Sequence, residues 1–204
     1  FISVIIIKPV IKLYQNILDL INKFAIRNNE TDEERFLKNL ILIVSISCSV
    51  CGLMWGAMYY WFLGFGLTVV LPWIFVLIVI GMIPVAHYLK NHYVLVFAQI
   101  ACITWITAFI QWSLGSIHDS AMVIMWSFLG PISALLFVSQ KQSIIWLIQF
   151  VLIVLITIIF EPHLTNDAFN FTTEYRITFY LMNVIIPTIV VFFASFYFLS
   201  NLYY

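Results

Sequence analysis

Six stretches of this chain are apolar almost without a break. Each is about as long as a helix must be to cross a ~30 Å hydrocarbon layer at 1.5 Å per residue. They fall at roughly 38–62, 67–89, 93–114, 121–138, 142–160 and 177–202. A membrane β-barrel is a poor alternative, because barrel strands alternate polar and apolar residues in units of about ten, whereas Val151 to Phe160 is almost unbroken aliphatic. Helices satisfy their backbone hydrogen bonds within the segment, as lipid requires. The expected fold class is therefore all-α: a polytopic membrane protein of six transmembrane helices, preceded by an amphipathic interfacial helix.

Composition supports the same solvent. Of 204 residues, 64% are apolar and 9% charged, against about a quarter charged in soluble domains, so there is too little polar surface to face water all round. The formal net charge is zero, which removes any electrostatic argument for nucleic acid or an acidic substrate. Cys48, Cys51 and Cys102 all sit inside apolar stretches and form no spaced disulfide framework. Cys48-x-x-Cys51 lies mid-span rather than at an exposed helix start, so we read it as two small lipid-compatible residues, not a redox pair.

The positions of the charges set an orientation. Lys8, Lys12, Lys23, Arg27, Arg35, Lys38, Lys90 and Lys141 fall on one side of the six spans, and Arg176 alone falls opposite. The positive-inside rule then places both ends in the cytoplasm, with Asp119, Glu161, Asp167 and Glu174 outside, and the expected location is the cell's inner (plasma) membrane. Within 1–30, Ile7, Val10, Ile11, Tyr14, Ile17, Leu18, Ile21 and Phe24 recur at helical spacing beside Lys12, Gln15, Asn16, Asp19 and Lys23. That pattern predicts a helix lying in the cytoplasmic membrane interface or packed on a partner domain. Residues 31–204 form the six-helix domain. Pro72, Pro84, Pro131 and Pro187 are expected to kink spans or to sit in their first turns.

Three groups of residues stand out within this frame. Ser45, Ser49, Gly52 and Gly56 share one face of the first span and permit close approach of another helix, in the same bundle or in a second subunit. Gln99, Gln111, Gln149 and Asn183 are the strongest polar groups inside the spans, and an amide buried without partners costs a few kcal/mol. They are expected to face other helices, as packing bonds or as a polar relay or ligand pocket. At the outer face, His118 and Asp119 before the fourth span join Glu161, His163, Asp167 and Glu174 after the fifth. Imidazole and carboxylate together could hold a divalent cation such as zinc or manganese, or another ligand. The metal, if any, is not specified by the spacing. No phosphate-binding glycine loop, nucleophile elbow or embedded acid pair occurs, so no catalytic residue is assigned.

Three stretches together resemble the six-helix membrane domain that precedes the catalytic module in bacterial class III adenylate/guanylate cyclases. They are Thr31-Asp-Glu-Glu-Arg-Phe-Leu-Lys38 with Gly52-Leu-Met-Trp-Gly56 and Tyr59; Leu114-Gly-Ser-Ile-His-Asp-Ser120 with Trp126 and Gly130-Pro-Ile-Ser-Ala-Leu-Leu-Phe137; and Asn183 with Phe192 to Tyr204. Related membrane modules also precede sensor histidine kinases. The resemblance implies a homodimer, a cytoplasmic output domain in cis beyond Tyr204, and a parent enzyme that is a lyase forming cAMP or cGMP with Mg or Mn. It also implies a receptor-like role in which an extracellular or lipid ligand acts on the outer face and the last helix carries the change inward. A less favoured alternative, a small transporter or channel, would need a midplane site built from broken helices and preferably an inverted repeat; no convincing repeat is visible and the spans lack charged residues.

Overall fold

The computed structural model describes residues 31–164 and 173–202. The amphipathic segment expected over 1–30 lies outside the described residues, as does Asp167. The chain forms α1 (Asp32–Leu63), α2 (Leu67–Leu89), α3 (Tyr93–Leu114), a 3-10 helix (Val123–Phe128), α4 (Leu129–Phe137), α5 (Gln140–Leu164) and α6 (Thr173–Leu202). Among the described residues there is no strand.

Five segments are long and apolar enough to cross a bilayer: Leu37–Leu63, Leu67–Leu89, Tyr93–Leu114, Gln140–Leu164 and Arg176–Phe193. The protein is thus a helical membrane protein, and large apolar side chains such as Trp61, Leu77 and Ile159 point away from it. Glycine and left-handed residues punctuate the helices. Gly64, at φ 75, ends α1 with its N–H on the Tyr60 carbonyl. Lys90 closes α2 in the left-handed region, its N–H reaching the Ala86 and His87 carbonyls. Gly115, at φ 117 and ψ −134, ends α3 in a conformation that a Cβ would oppose.

The fourth span, expected at 121–138, is not confirmed as one continuous helix. In its place stand a six-residue 3-10 helix and a nine-residue α-helix, shorter than the five spanning segments. Two local causes explain the break. Ala121 and Met122 both have positive φ, 52 and 60, which stops any α-helix from beginning earlier. Pro131 lacks the N–H that would bond the Ser127 carbonyl, which disfavours an α ladder running back through it, whereas a third helical position tolerates proline. The stretched 3-10 turns compensate in length, giving Val123–Phe137 a reach of roughly 25 Å. This segment runs antiparallel to α3: the Ile124 N–H meets Gln111, and Gly130 lies against Thr104 and Ile100. Its irregular backbone is screened by protein, with Val123, Ile124, Ser127, Leu129, Gly130, Pro131 and Ala134 all buried, and such backbone is tolerated at membrane depth only where protein surrounds it.

The small-residue face of α1 packs on α2. A Cβ on Gly52 would come within 2.9 Å of Val76 Cγ2 and 3.4 Å of the Pro72 carbonyl, and one on Gly56 would collide with the Trp73 indole. Ser45 and Ser49 on the same face are buried and bond back to the Ile41 and Ser45 carbonyls at 2.8 Å. Helix α3 lies at the centre. Its indoles Trp105 and Trp112 reach Gln149 Oε1 (3.2 Å) and Thr157 Oγ1 (2.9 Å), clipping α5 onto it. Tyr59 of α1, fully buried, stacks on Phe179 of α6 with ring centroids 6.0 Å apart.

Candidate functional site

The turn at residues 115–122 gathers polar side chains from α3, α5 and α6. Its floor is Gln111, fully buried one turn before the end of α3. The Gln111 amide nitrogen donates to the carbonyls of Gly115 (3.4 Å) and Ser116 (3.1 Å), while Oε1 accepts from Ser120 Oγ (2.7 Å) and the Ile124 N–H (3.3 Å). Two donors and two lone pairs meet four partners, so an amide that would be costly in lipid is fully paired. Above it, the Ser116 hydroxyl donates to Asp119 Oδ2 at 2.6 Å and accepts from the Asp119 N–H at 3.0 Å.

Helix α5 adds Glu161, whose two carboxylate oxygens accept the Ile117 N–H at 2.9 and 3.1 Å. Helix α6 adds three residues from one face, spaced four and three apart: Arg176, Tyr180 and Asn183. Arg176 Nη1 lies 2.6 Å from His118 Nε2, and His118 Nδ1 lies 3.1 Å from the Tyr180 hydroxyl. A guanidinium only donates, so in this geometry Nε2 is the acceptor and Nδ1 is the nitrogen left to donate. The Tyr180 hydroxyl then accepts from Nδ1 and can donate to the His118 carbonyl 3.4 Å away. Asn183, fully buried, donates to the Ala121 carbonyl at 2.9 Å and accepts from the Trp126 indole at 3.0 Å. The left-handed pair Ala121-Met122 is thereby fastened to α6.

Of the outer-face residues expected from sequence, the structure brings together His118, Asp119 and Glu161 around one turn. His163 is exposed near the end of α5 and none of these bonds involves it. Glu174 is in the first turn of α6. Among the described residues no group of three or more His, Cys, Asp or Glu side chains converges as a metal site. The carboxylates of Asp119 and Glu161 are engaged by turn hydrogen bonds. Arg176, Tyr180, Ser116 and Ser120 are the participants that sequence reasoning did not assign to a site. The one available signal was the helical spacing of Arg176, Tyr180 and Asn183, which puts them on a shared face.

A second feature lies toward the other end of α3. Gln99 accepts from Ser45 Oγ at 2.9 Å and borders a cavity of about 350 Å³ between α1, α3, α4 and α6. Gln149, by contrast, is occupied by the Trp105 indole. Cys48, Cys51 and Cys102 are free thiols. Comparison of the chain with family models, with curated proteins and with solved structures finds no match.

Proposed function

We propose that this chain is the membrane-anchoring, dimerising and receptor-like regulatory domain of a membrane-bound adenylate or guanylate cyclase. In this reading both ends face the cytoplasm of the inner membrane, the 115–122 turn is the outer-face sensor, and α6 couples it to a cytoplasmic catalytic module. The observation that carries the reading is the fastening of α6 to the turn through Arg176, Tyr180 and Asn183. A ligand that binds two shapes of the turn unequally shifts the population of two α6 positions, and only such differential binding can do so.

Two further observations support it. Lys38, Lys90 and Lys141 lie toward the helix ends opposite the one that carries Asp119, Glu161 and Arg176, the distribution expected if the lysine end is cytoplasmic. Even parity of crossings is needed for both ends to share a side, and Val123–Phe137 supplies the return pass between α3 and α5. The stretches that carry the cyclase resemblance, Leu114–Ser120, Trp126 and Gly130–Phe137, are also the ones that build the turn and the return pass. Dimerisation rests on the resemblance alone.

The test is cyclic nucleotide formation by membranes that carry the full-length protein, with a C-terminal tag probed from each side. The expected result is a tag accessible only from the cytoplasm, and an Asn183→Leu variant whose cyclase output differs about fivefold or more from wild type, a typical coupling size. An outward tag, or membranes that form no cyclic nucleotide, overturns the reading.

A further inference from the structure

We propose that the cavity bounded by α1, α3, α4 and α6 is a binding site for a neutral aliphatic molecule that carries one acceptor oxygen, of the acyl-ester type, drawn from the bilayer. Its volume of about 350 Å³ lies within the range of small-molecule sites. Ile41, Val96, Phe137 and Val190 give it apolar walls, and Gln99 and Ser133 are its hydrogen-bonding groups of nitrogen and oxygen.

The donors at the cavity specify the ligand. Gln99 uses its oxygen to accept from Ser45, its amide N–H groups have only the Cys48 thiol, a weak sulfur acceptor, beside them, and the Ser133 hydroxyl has no acceptor among the described residues. Gln99 lies six residues into α3, about 9 Å along the helix from Tyr93, a depth at which water is not available to serve instead. An acceptor oxygen on the occupant would satisfy these donors, and an aliphatic chain would fill the walls. Among the described residues no Lys, Arg, Asp, Glu or His lines the cavity, so a charged or zwitterionic headgroup would enter without a partner there, at high cost. That argues for a headgroup-free ester over an ordinary phospholipid. The site stands apart from the proposed cyclase coupling, because its test measures binding and not output.

The experiment uses the protein in nanodiscs, a fatty acid methyl ester with a diazirine in its chain, and a phosphatidylcholine with the same diazirine chain. The expected result is saturable labelling by the methyl ester, competed by the unlabelled ester, with adducts at Ile41, Phe137 or Val190. Gln99→Leu, which keeps the apolar volume, is expected to weaken that labelling about tenfold, the equivalent of one good hydrogen bond to a buried acceptor. Ser133→Ala, the milder change, is expected to weaken it less and guards against misfolding of the first variant. Ile132→Trp, which fills the space, is expected to abolish it. Four results would each overturn the proposal: non-saturable adducts spread along α5, equal labelling by the phosphatidylcholine probe, unchanged labelling in both Gln99→Leu and Ser133→Ala, or capture of residues 1–30 by a photoreactive side chain placed at Leu136.

Discussion

Gln99 and Gln111 are the same side chain on the same helix, about 18 Å apart along its axis, and their surroundings are opposite. Gln111 has all its hydrogen-bonding capacity met by the turn that follows its helix: two carbonyls, a serine hydroxyl and a backbone N–H converge on it. Gln99 has one serine on its oxygen, the Cys48 thiol as a weak second partner, and a cavity beside it. The first arrangement is closed and specifies a backbone shape, because every bond it makes lies in or next to the 115–124 segment. The second is open at one side. A polar group inside a membrane bundle therefore carries different meaning according to whether its partners are complete, which the residue type alone does not reveal.

The sharpest way to break this contrast is to remove both amides. Gln111→Leu leaves the Ser120 hydroxyl and the Ile124 N–H without their acceptor in a fully buried place, and a loss of about 2–4 kcal/mol is expected. Gln99→Leu leaves Ser45 still bonded to the Ile41 carbonyl and is expected to cost less than about 1 kcal/mol. Reversible unfolding in mixed micelles or bicelles measures both. Equal losses would erase the distinction between the closed and the open end.

Next in size is Gly130→Ala. The added Cβ would collide with the hydroxyl of Thr104, which is itself fully buried and has no hydrogen-bond partner among the described residues. Either Thr104 changes rotamer in a packed place or the return segment moves off α3, and about 1–3 kcal/mol of stability should be lost. The double variant Gly130→Ala/Thr104→Ala removes the clash and should recover most of it. Asn183→Leu follows, at about 1–2 kcal/mol, since it loses the Ala121 carbonyl and the Trp126 indole together. If Asn183→Leu left the unfolding midpoint unchanged, the turn would not depend on α6 for its shape.

How much of this was legible beforehand differs between the two kinds of segment. Helices α2 and α3 have the limits read from sequence, because Gly64-Phe65-Gly66, Lys90-Asn91-His92 and Gly115 interrupt apolar runs with glycine or polar residues. The stretch 121–138 read as a span because hydropathy registers apolar content and not backbone geometry. Nothing in the pair Ala121-Met122 announces two left-handed residues in succession. That conformation follows from the Asn183 and Gln111 bonds on either side of it, which join positions far apart in the chain. For the site, His118, Asp119 and Glu161 could be grouped by topology alone. Their link to Arg176 and Tyr180 depends on the rotation of α6 about its axis, which a single sequence does not specify.

The smallest expected effect discriminates most finely, and it concerns Glu161. Its two oxygens share one backbone N–H, that of Ile117, a task that needs an acceptor near a turn and no net charge. Glu161→Gln retains a carbonyl oxygen able to accept that N–H and should change stability by less than about 0.5 kcal/mol, whereas Glu161→Leu removes the acceptor and should cost about 1–2 kcal/mol. Divalent cation binding makes the opposite demand, since replacement of a carboxylate by an amide weakens a hard-cation or zinc site sharply. Calorimetric titration of zinc or manganese into wild type and Glu161→Gln, alongside their unfolding midpoints, separates the two roles. Unaltered stability with no cation affinity in either protein makes Glu161 a cap for the 115–122 turn. Cation affinity that vanishes in Glu161→Gln would mean that the carboxylate leaves Ile117 when the ion arrives, and the closed end of the molecule would then be a switch.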